Sequence, residues 1–145
     1  MGKMKAAVCE KYGPPEVLIL KDMDKPVPKN NEVLIKVHAS TVNAADCNSR
    51  GLAYIPTGLG FVARLMLGFR KPKISILGSG VAGEIVEVGK DVVSFKPGDE
   101  VYGTADTLGG YAEFVCRQEN GALALKPKNI SFEQASTIPY GALTA

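Results

Sequence analysis

The sequence predicts a mainly β domain, a partly open β-barrel or sandwich with a few short helices. Sixteen glycines and nine prolines divide the chain of 145 residues into short pieces, which favours strands and turns over long helices. About seven of these pieces alternate apolar and polar residues or are rich in β-branched ones, at the regular spacing typical of barrels and sandwiches. The hydrophobic fraction of 46% and the charged fraction of 22% are those of a globular domain with its own core.

Three strands are predicted in the first forty residues. Met4–Tyr12 is followed by a turn at Gly13, and Val17–Met23 ends before a proline-rich stretch. Glu32–Ser40 shows the clearest period of two, because one of its faces carries only apolar side chains. Those side chains are Val33, Ile35, Val37 and Ala39. His38 therefore falls on the more polar face and is expected at the strand surface.

The chain changes character after the third strand. Asn43–Arg50 predicts a short helix closed by Gly51. For the following stretch, Leu52–Lys73, two interpretations stay open: an amphipathic helix of one or two turns, or a folded-over loop. Its apolar part, Leu59–Phe69, indicates a lid or wall over a cleft rather than a membrane anchor, because it is short and interrupted by glycines.

The second half returns to β character. Four further strands are predicted, at Gly83–Gly89, Glu100–Gly103, Tyr111–Arg117 and Leu123–Lys126. Ser131 and Gln134 then form a capping box, in which a serine hydroxyl and a glutamine three residues later satisfy the first N–H groups of a helix. A helix is predicted from there to about Thr137.

The segment Gly78–Gly83 matches the glycine fingerprint of dinucleotide-binding sites letter for letter. That fingerprint works only where a helix begins on it, so that the helix N-terminus faces the pyrophosphate. Here the following residues alternate as in a strand. The sequence therefore predicts glycines that allow close strand packing, and no nucleotide site at this motif.

Charge and cysteine content exclude several classes of protein. The net charge of +2 is too small and dispersed to indicate nucleic acid as a partner. No apolar run approaches the roughly 20 residues of a membrane helix, so no membrane partner is expected. Three distant cysteines indicate no disulfide framework and a cytoplasmic location. The single histidine excludes zinc patterns that need two.

Seven separate segments, in order and with natural spacing, resemble the N-terminal catalytic domain of the medium-chain dehydrogenase/reductase superfamily. The resemblance is strongest to its zinc-free quinone oxidoreductase and enoyl-reductase branch. The segments are Gly13–Leu18, Asn31–Val37, Val42–Asp46 with Arg50–Gly51, Leu77–Gly89, Phe95–Gly103, Gly109–Val115 and Pro139–Ala145.

The resemblance implies a GroES-like, partly open β-barrel with a few short helices. Residues 1–125 would be the substrate-side domain, and 126–145 a linker and the start of the helix leading into an absent nucleotide-binding (Rossmann) domain. The full-length protein would be an NAD(P)H-dependent oxidoreductase, a homodimer that reduces a quinone, enone or aldehyde. NADPH or NADH would be bound mainly by the absent domain, and the 145-residue chain alone would be inactive.

The resemblance also implies that no zinc is bound. Zinc-bearing members carry a cysteine three residues before the aspartate of the first helix and a histidine after the first glycine of the fingerprint. This sequence has Asn43 and Ser79 at those places. A catalytic zinc needs three protein ligands with thiolate or imidazole among them, and the expected metal ligands are none.

Without zinc, hydrogen-bond donors must polarise the substrate carbonyl as hydride arrives. The resemblance assigns catalytic roles to Asn43, Asp46 and Asn48, cofactor binding to Asn43 and Thr144, and the substrate cleft to Arg50, Tyr54 and Tyr140.

Other roles for these residues stay open. Asn43 could equally cap its helix, and Asp46 is expected to anchor the loop rather than act as a base. Asn48 stands where many quinone oxidoreductases have a tyrosine. Tyr54 could be an exposed loop residue, and Thr144 a helix residue without a ligand.

Two other functions remain possible from the sequence. The chain could be a small non-enzymatic β-barrel, either a binding module or a co-chaperone-like oligomer. It could also belong to a zinc-type alcohol dehydrogenase with displaced ligands.

Overall fold

The computed structural model describes residues 2–51, 72, 75–104 and 108–144, with side chains as far as residue 142. This part of the chain contains seven strands, one 3₁₀ turn at Pro15–Val17 and two α-helices. The strands are β1 Lys3–Cys9, β2 Leu18–Asp24, β3 Glu32–Ser40, β4 Gly80–Val88, β5 Glu100–Thr104, β6 Phe114–Gln118 and β7 Leu123–Leu125. The helices are α1 Ala44–Gly51 and α2 Phe132–Thr144.

The strands form two antiparallel sheets. β1 and β2 pair with each other, and the other five strands are ordered β6-β3-β4-β5-β7. Isolated bridges from Ala6 to Ala112 and from Val8 to Ile76 link the small sheet to the rest of the domain. The sheets do not close within the described residues. The predicted mainly β, partly open architecture is confirmed.

The main core lies on one face of the five-stranded sheet. Val33 and Ile35 of β3 are completely buried there, as the alternation predicts, beside Ile85 of β4 and Val101 of β5. Burying each such side chain contributes about 1.5–3 kcal/mol. Leu34, on the opposite face of β3, is completely buried too, so this strand is covered on both sides at its centre.

β4 begins inside the glycine-rich segment. No helix starts on the fingerprint, because Gly80–Val88 is a strand paired with β3 and β5. A Cβ at Gly83 would lie 2.1 Å from the carbonyl oxygen of Lys36. The glycine is therefore needed for close strand approach, and the interpretation of this motif as structural is confirmed.

Helix α2 begins as predicted but is longer than predicted. Its capping box is present: the Ser131 hydroxyl accepts from the Gln134 N–H at 3.2 Å, and Gln134 Oε1 accepts from the Ser131 N–H at 3.0 Å. The predicted end near Thr137 is wrong, because the helix continues through Pro139 to Thr144. A proline in a helix removes one backbone hydrogen bond, and here that loss does not end the helix.

Three other predicted boundaries differ from the structure or fall outside it. β1 ends at Cys9 rather than Tyr12. β6 begins at Phe114 rather than Tyr111, because the residues before it make only the isolated bridge of Ala112. The two interpretations of Leu52–Lys73 lie outside the described residues, apart from Pro72. No helix in the described part of the chain is long and apolar enough to cross a membrane.

Candidate active site

Asn43 caps helix α1 with its side-chain oxygen. Oδ1 accepts from the N–H of Ala45 at 2.9 Å and from the N–H of Asp46 at 3.2 Å. These N–H groups belong to the first turn, whose donors have no partner within the helix. The capping role that the sequence left open is therefore present, and it fixes how the amide is turned.

The other end of the same amide reaches the start of β4. Asn43 Nδ2 donates to Ser79 Oγ at 2.9 Å, across 36 positions of sequence. Ser79 is buried, with 9% of its surface exposed. The two positions at which zinc-bearing relatives are expected to hold ligands are thus in direct contact here.

Asp46 is an anchor for the backbone around this pair. Only 2% of its surface is exposed. One carboxylate oxygen accepts from the Asn43 N–H at 3.1 Å, and the other accepts from the Gly78 N–H at 3.2 Å. Both oxygens are engaged with the main chain, which favours the anchoring role expected for Asp46 over that of a base.

Tyr111 packs beside Gly78 and close to Asp46 of α1. Gly78 has a φ of +93°, and its missing Cβ makes room for the Tyr111 ring. The Tyr111 hydroxyl donates to the Thr41 carbonyl at 3.3 Å. Burial raises the pKa of Tyr111, and the negative charge of Asp46 raises it further. The phenol therefore stays protonated and keeps donating at neutral pH.

Helix α2 is attached to the same cluster. The Thr41 hydroxyl donates to the Ser136 carbonyl of α2 at 3.2 Å. The Asn43–Ser79 pair is thereby tied to the helix whose last described residue is Thr144. Tyr140, on the same helix, is half-buried.

The remaining predicted residues are placed differently. Arg50 Nε donates to the Gly13 carbonyl at 3.2 Å, and the Arg50 carbonyl accepts from the Gly13 N–H at 3.1 Å. Arg50 therefore binds a turn of the chain instead of standing free in a cleft. Asn48 lies half-buried on α1. Tyr54 and the side chain of Thr144 lie outside the described part of the structure.

The sequence predicted Asn43 and Asp46 as site residues, but it did not point to three further residues of the cluster. Ser79 was noted only as a departure from a zinc ligand, and Thr41 and Tyr111 were not singled out. A serine between two glycines at the start of a strand was the one signal available for Ser79. The contacts of Thr41 and Tyr111 depend on residues 95 and 70 positions away, which no local pattern reveals.

The donor set does not suit zinc. Asn43 offers an amide and Ser79 a hydroxyl, whereas zinc is bound in proteins by thiolate, imidazole or carboxylate. The one carboxylate of the cluster, Asp46, has both oxygens engaged with backbone N–H groups. Among the described residues no three His, Cys, Asp or Glu side chains lie close enough to hold a metal ion. We derive no chemical step through a metal.

The family model of the alcohol dehydrogenase GroES-like domain matches residues 29–128, which is more than half of the chain. The chain belongs to this family. The GroES-like domain of this protein therefore has the fold that its sequence resemblance implied, and its membership of the medium-chain dehydrogenase/reductase superfamily is confirmed.

Several known proteins similar to this GroES-like domain are named as oxidoreductases. The human NAD(P)H oxidoreductase RTN4IP1, mitochondrial, is 39% identical over an alignment of 148 positions that covers 98% of this chain and 37% of that protein. The quinone oxidoreductase of Coxiella burnetii superposes with a TM-score of 0.83 at 38% identity, over 99% of this chain and 43% of that one. Quinone oxidoreductase of Escherichia coli, solved as a complex with NADPH, superposes with a TM-score of 0.79 at 28% identity, over 97% and 38%.

The chain thus spans about two fifths of the length of the proteins that it matches. Those relatives carry a further part that has no counterpart here. What the relatives do as whole proteins is consequently a proposal for this one.

Proposed function

We propose that this GroES-like domain belongs to a longer NAD(P)H-dependent oxidoreductase that reduces a quinone, enone or other carbonyl compound by hydride transfer without zinc. Residues 1–125 would form the substrate-side domain, and 126–145 would lead into a nucleotide-binding domain. The observation that carries the proposal is the fixed hydrogen-bond pair of Asn43 and Ser79, tied through Thr41 to helix α2, which would lead into that second domain.

The names of the relatives support the cofactor and the substrate class. The human relative is an NAD(P)H oxidoreductase, and the two solved structures are quinone oxidoreductases, one of them in complex with NADPH. A nicotinamide cofactor, NADPH or NADH, is therefore the cofactor proposed for the full-length protein. When bound, the cofactor supplies the hydride.

The residues of this chain would bind and orient the substrate. Asn43, held rigid by its capping bonds, would fix the position of Ser79 and face the nicotinamide together with Thr144. Asp46 would act through the backbone it anchors. Preorganised donors of this kind lower the barrier because charge develops on the substrate oxygen as hydride arrives, and each is worth about 3–4 kcal/mol.

Four further residues have proposed places in or near the cleft. We assign Tyr54 and Tyr140 to its lining, and Asn48 to the helix side of the site. Arg50 would contribute by holding the Gly13 turn in place. An enone or quinone suits such a cleft, because charge develops on its conjugated oxygen as it accepts the hydride.

A cofactor-oxidation screen tests the proposal. Full-length protein is mixed with NADPH or NADH and with a quinone, an enone or an aldehyde, and the absorbance of the reduced nicotinamide is followed with and without a zinc chelator. We expect turnover with at least one conjugated acceptor, unchanged by the chelator. Turnover that the chelator abolishes would contradict the zinc-free mechanism, and the absence of any turnover would contradict the enzyme itself.

The assembly and location of the full-length protein are proposed from the sequence. A homodimer would show twice the chain mass in sedimentation, and a cytoplasmic location would show in cell fractionation. A mitochondrial fraction is the alternative outcome, since the human relative is named as mitochondrial.

A further inference from the structure

The orientation of the Asn43 amide is determined by its surroundings. Amide oxygen and nitrogen can be told apart only from their hydrogen-bond partners. Here one end of the amide meets two backbone N–H groups, those of Ala45 and Asp46, so this end must be the oxygen. The end that faces Ser79 is therefore the NH₂ group, which can only donate.

It follows that Ser79 Oγ is an acceptor in this pair. A serine hydroxyl has one hydrogen to donate and two lone pairs that accept. One lone pair is taken by Asn43, and the hydrogen is not used by any acceptor in the described part of the chain. Ser79 keeps 9% of its surface exposed. Within the described residues, it thus holds an unused donor next to the rigid amide.

The backbone on both sides of Ser79 holds it in place. Before it, the Gly78 N–H donates to Asp46. After it, a Cβ at Gly80 would lie 2.5 Å from the Thr41 hydroxyl oxygen and 2.9 Å from the Ser136 carbonyl oxygen. The Gly80 carbonyl also accepts from the Ser40 hydroxyl at 2.8 Å. These contacts leave the segment no room to shift.

We propose that Ser79 is a catalytic residue of the full-length enzyme, whose hydroxyl donates a hydrogen bond to the carbonyl oxygen of the substrate. The proposal rests on the proposed function as an NAD(P)H-dependent carbonyl or quinone reductase. Donation from Asn43 into Ser79 Oγ makes the Ser79 hydroxyl a stronger donor, because hydrogen bonds in a chain polarise one another. Asn43 is then the positioning residue, and Ser79 the group that contacts the reacting oxygen.

The step balances without any further reactant. Hydride adds to the carbon conjugated with the carbonyl group, a carbon–hydrogen bond forms, and the π electrons move onto the oxygen. The acceptor gains two electrons and one hydrogen from NAD(P)H, which leaves as NAD(P)⁺. Ser79 keeps its own proton, and a proton from water completes the reduced product.

The test compares three Ser79 variants in the full-length protein with the best acceptor from the screen. Ser79→Ala removes the donor and is expected to lower kcat about 100-fold, with the dissociation constant of NADPH unchanged. Ser79→Thr keeps the hydroxyl and should keep most of the activity. Ser79→Cys keeps the approximate size with a weak donor, so it should behave as Ser79→Ala does and replaces that variant if it fails to fold. Ser94→Ala, at an exposed turn remote in the sequence, is the matched control.

Each outcome decides the inference. A loss of kcat in Ser79→Ala and Ser79→Cys, retained activity in Ser79→Thr and unchanged NADPH binding support it. If Ser79→Ala or Ser79→Cys turns over at the wild-type rate, the role of Ser79 is overturned while the proposed function stays intact. A wild-type protein that oxidises no cofactor overturns both.

Discussion

Gly78 lies directly beside the candidate site, and Arg117 lies in the five-stranded sheet. Gly78 adopts a positive φ directly before Ser79, so its conformation sets the position of the proposed donor. Arg117 lies on β6, where it pairs with Val33 of the core, and only 5% of its surface is exposed. Its Nη1 donates to the Cys116 carbonyl, whereas its Nε and Nη2 have no partner among the described residues.

Gly78→Ala is expected to destabilise the protein by more than the backbone cost of placing a side chain at positive φ. A Cβ there would lie 2.6 Å from the Tyr111 ring. The matched control is Gly98→Ala, since Gly98 has a similar φ of +90° with nothing within 4 Å of its Cβ position. The control should cost about 1–2 kcal/mol from the backbone, and Gly78→Ala about 1–3 kcal/mol more from overpacking. Equal midpoints of thermal unfolding for the two variants would contradict this reading.

Arg117→Met is expected to stabilise the protein. Burial lowers the pKa of Arg117 to about 10, because the charged form loses its hydration. An unsatisfied buried polar group costs about 1–3 kcal/mol, and methionine fills similar space without it. Since the pKa is lower in the folded than in the unfolded state, the cost is fully present below about pH 10 and is relieved as the pH rises above it.

Urea unfolding of Arg117→Met and wild type across neutral to alkaline pH measures this difference. The gap in free energy of unfolding should be largest at neutral pH and shrink above about pH 10. A less stable Arg117→Met at neutral pH would show that the guanidinium has an energetically important partner.

Helix α2 is the element that connects the barrel to the site. It packs across β3, β4 and β5. At its first residue, the Phe132 ring stacks on His38 of β3 with centroids 4.5 Å apart and an interplanar angle of 11°, and the Lys126 ammonium lies 5.1 Å from the same ring. His38 is exposed at the strand surface, as the alternation predicted, and α2 begins beside it.

Ser131→Ala is expected to loosen the first turn of α2. The variant loses the hydroxyl that accepts from the Gln134 N–H, at a cost of about 1 kcal/mol. Ser131→Asp keeps an accepting oxygen at the cap and is the matched control, which should unfold near the wild-type temperature. Hydrogen exchange of the first-turn amides should rise in Ser131→Ala alone. Faster exchange in both variants would show that the cap does not hold this turn.

At the scale of the whole molecule, the Asn43–Ser79 pair is where α1, the start of β4 and the hydrogen bond to α2 come together. The family match and the similar structures cover this domain, while the relatives are more than twice as long. In the proposed function, this domain supplies the substrate-side donors and a second structural unit would hold the cofactor. Activity would then need the two parts together.

The 145-residue chain by itself is expected to oxidise no NADPH with a quinone, whereas the proposed full-length protein is expected to do so. The physical reason is that the described residues include no helix beginning on the glycine fingerprint to bind the pyrophosphate. The measurement is cofactor oxidation by equal molar amounts of the two proteins. Turnover by the 145-residue chain would contradict the division of roles between the two parts.

Local patterns in the sequence determined the elements of this protein. The alternation of Glu32–Ser40 and the capping box at Ser131 placed β3 and the start of α2 correctly, because each depends on residues within one element. The predicted end of α2 near Thr137 was wrong, since packing across the sheet maintains the helix through Pro139, where local preference would end it. The seven segments that resemble the family are also local patterns, and their order along the chain predicted the family.

Only the tertiary structure decided which side chains form the site. Asn43 and Ser79 are 36 positions apart, and the contact between them exists because β3 and β4 are neighbours in the sheet. The orientation of the Asn43 amide follows from its bonds to the first turn of α1. That orientation makes Ser79 the acceptor and leaves its hydroxyl hydrogen without an acceptor among the described residues. The sequence could predict the cap at Asn43 but not this orientation. Spacing along the chain specifies strands and caps, whereas a hydrogen-bond donor acquires its direction only from the atoms that surround it in the fold.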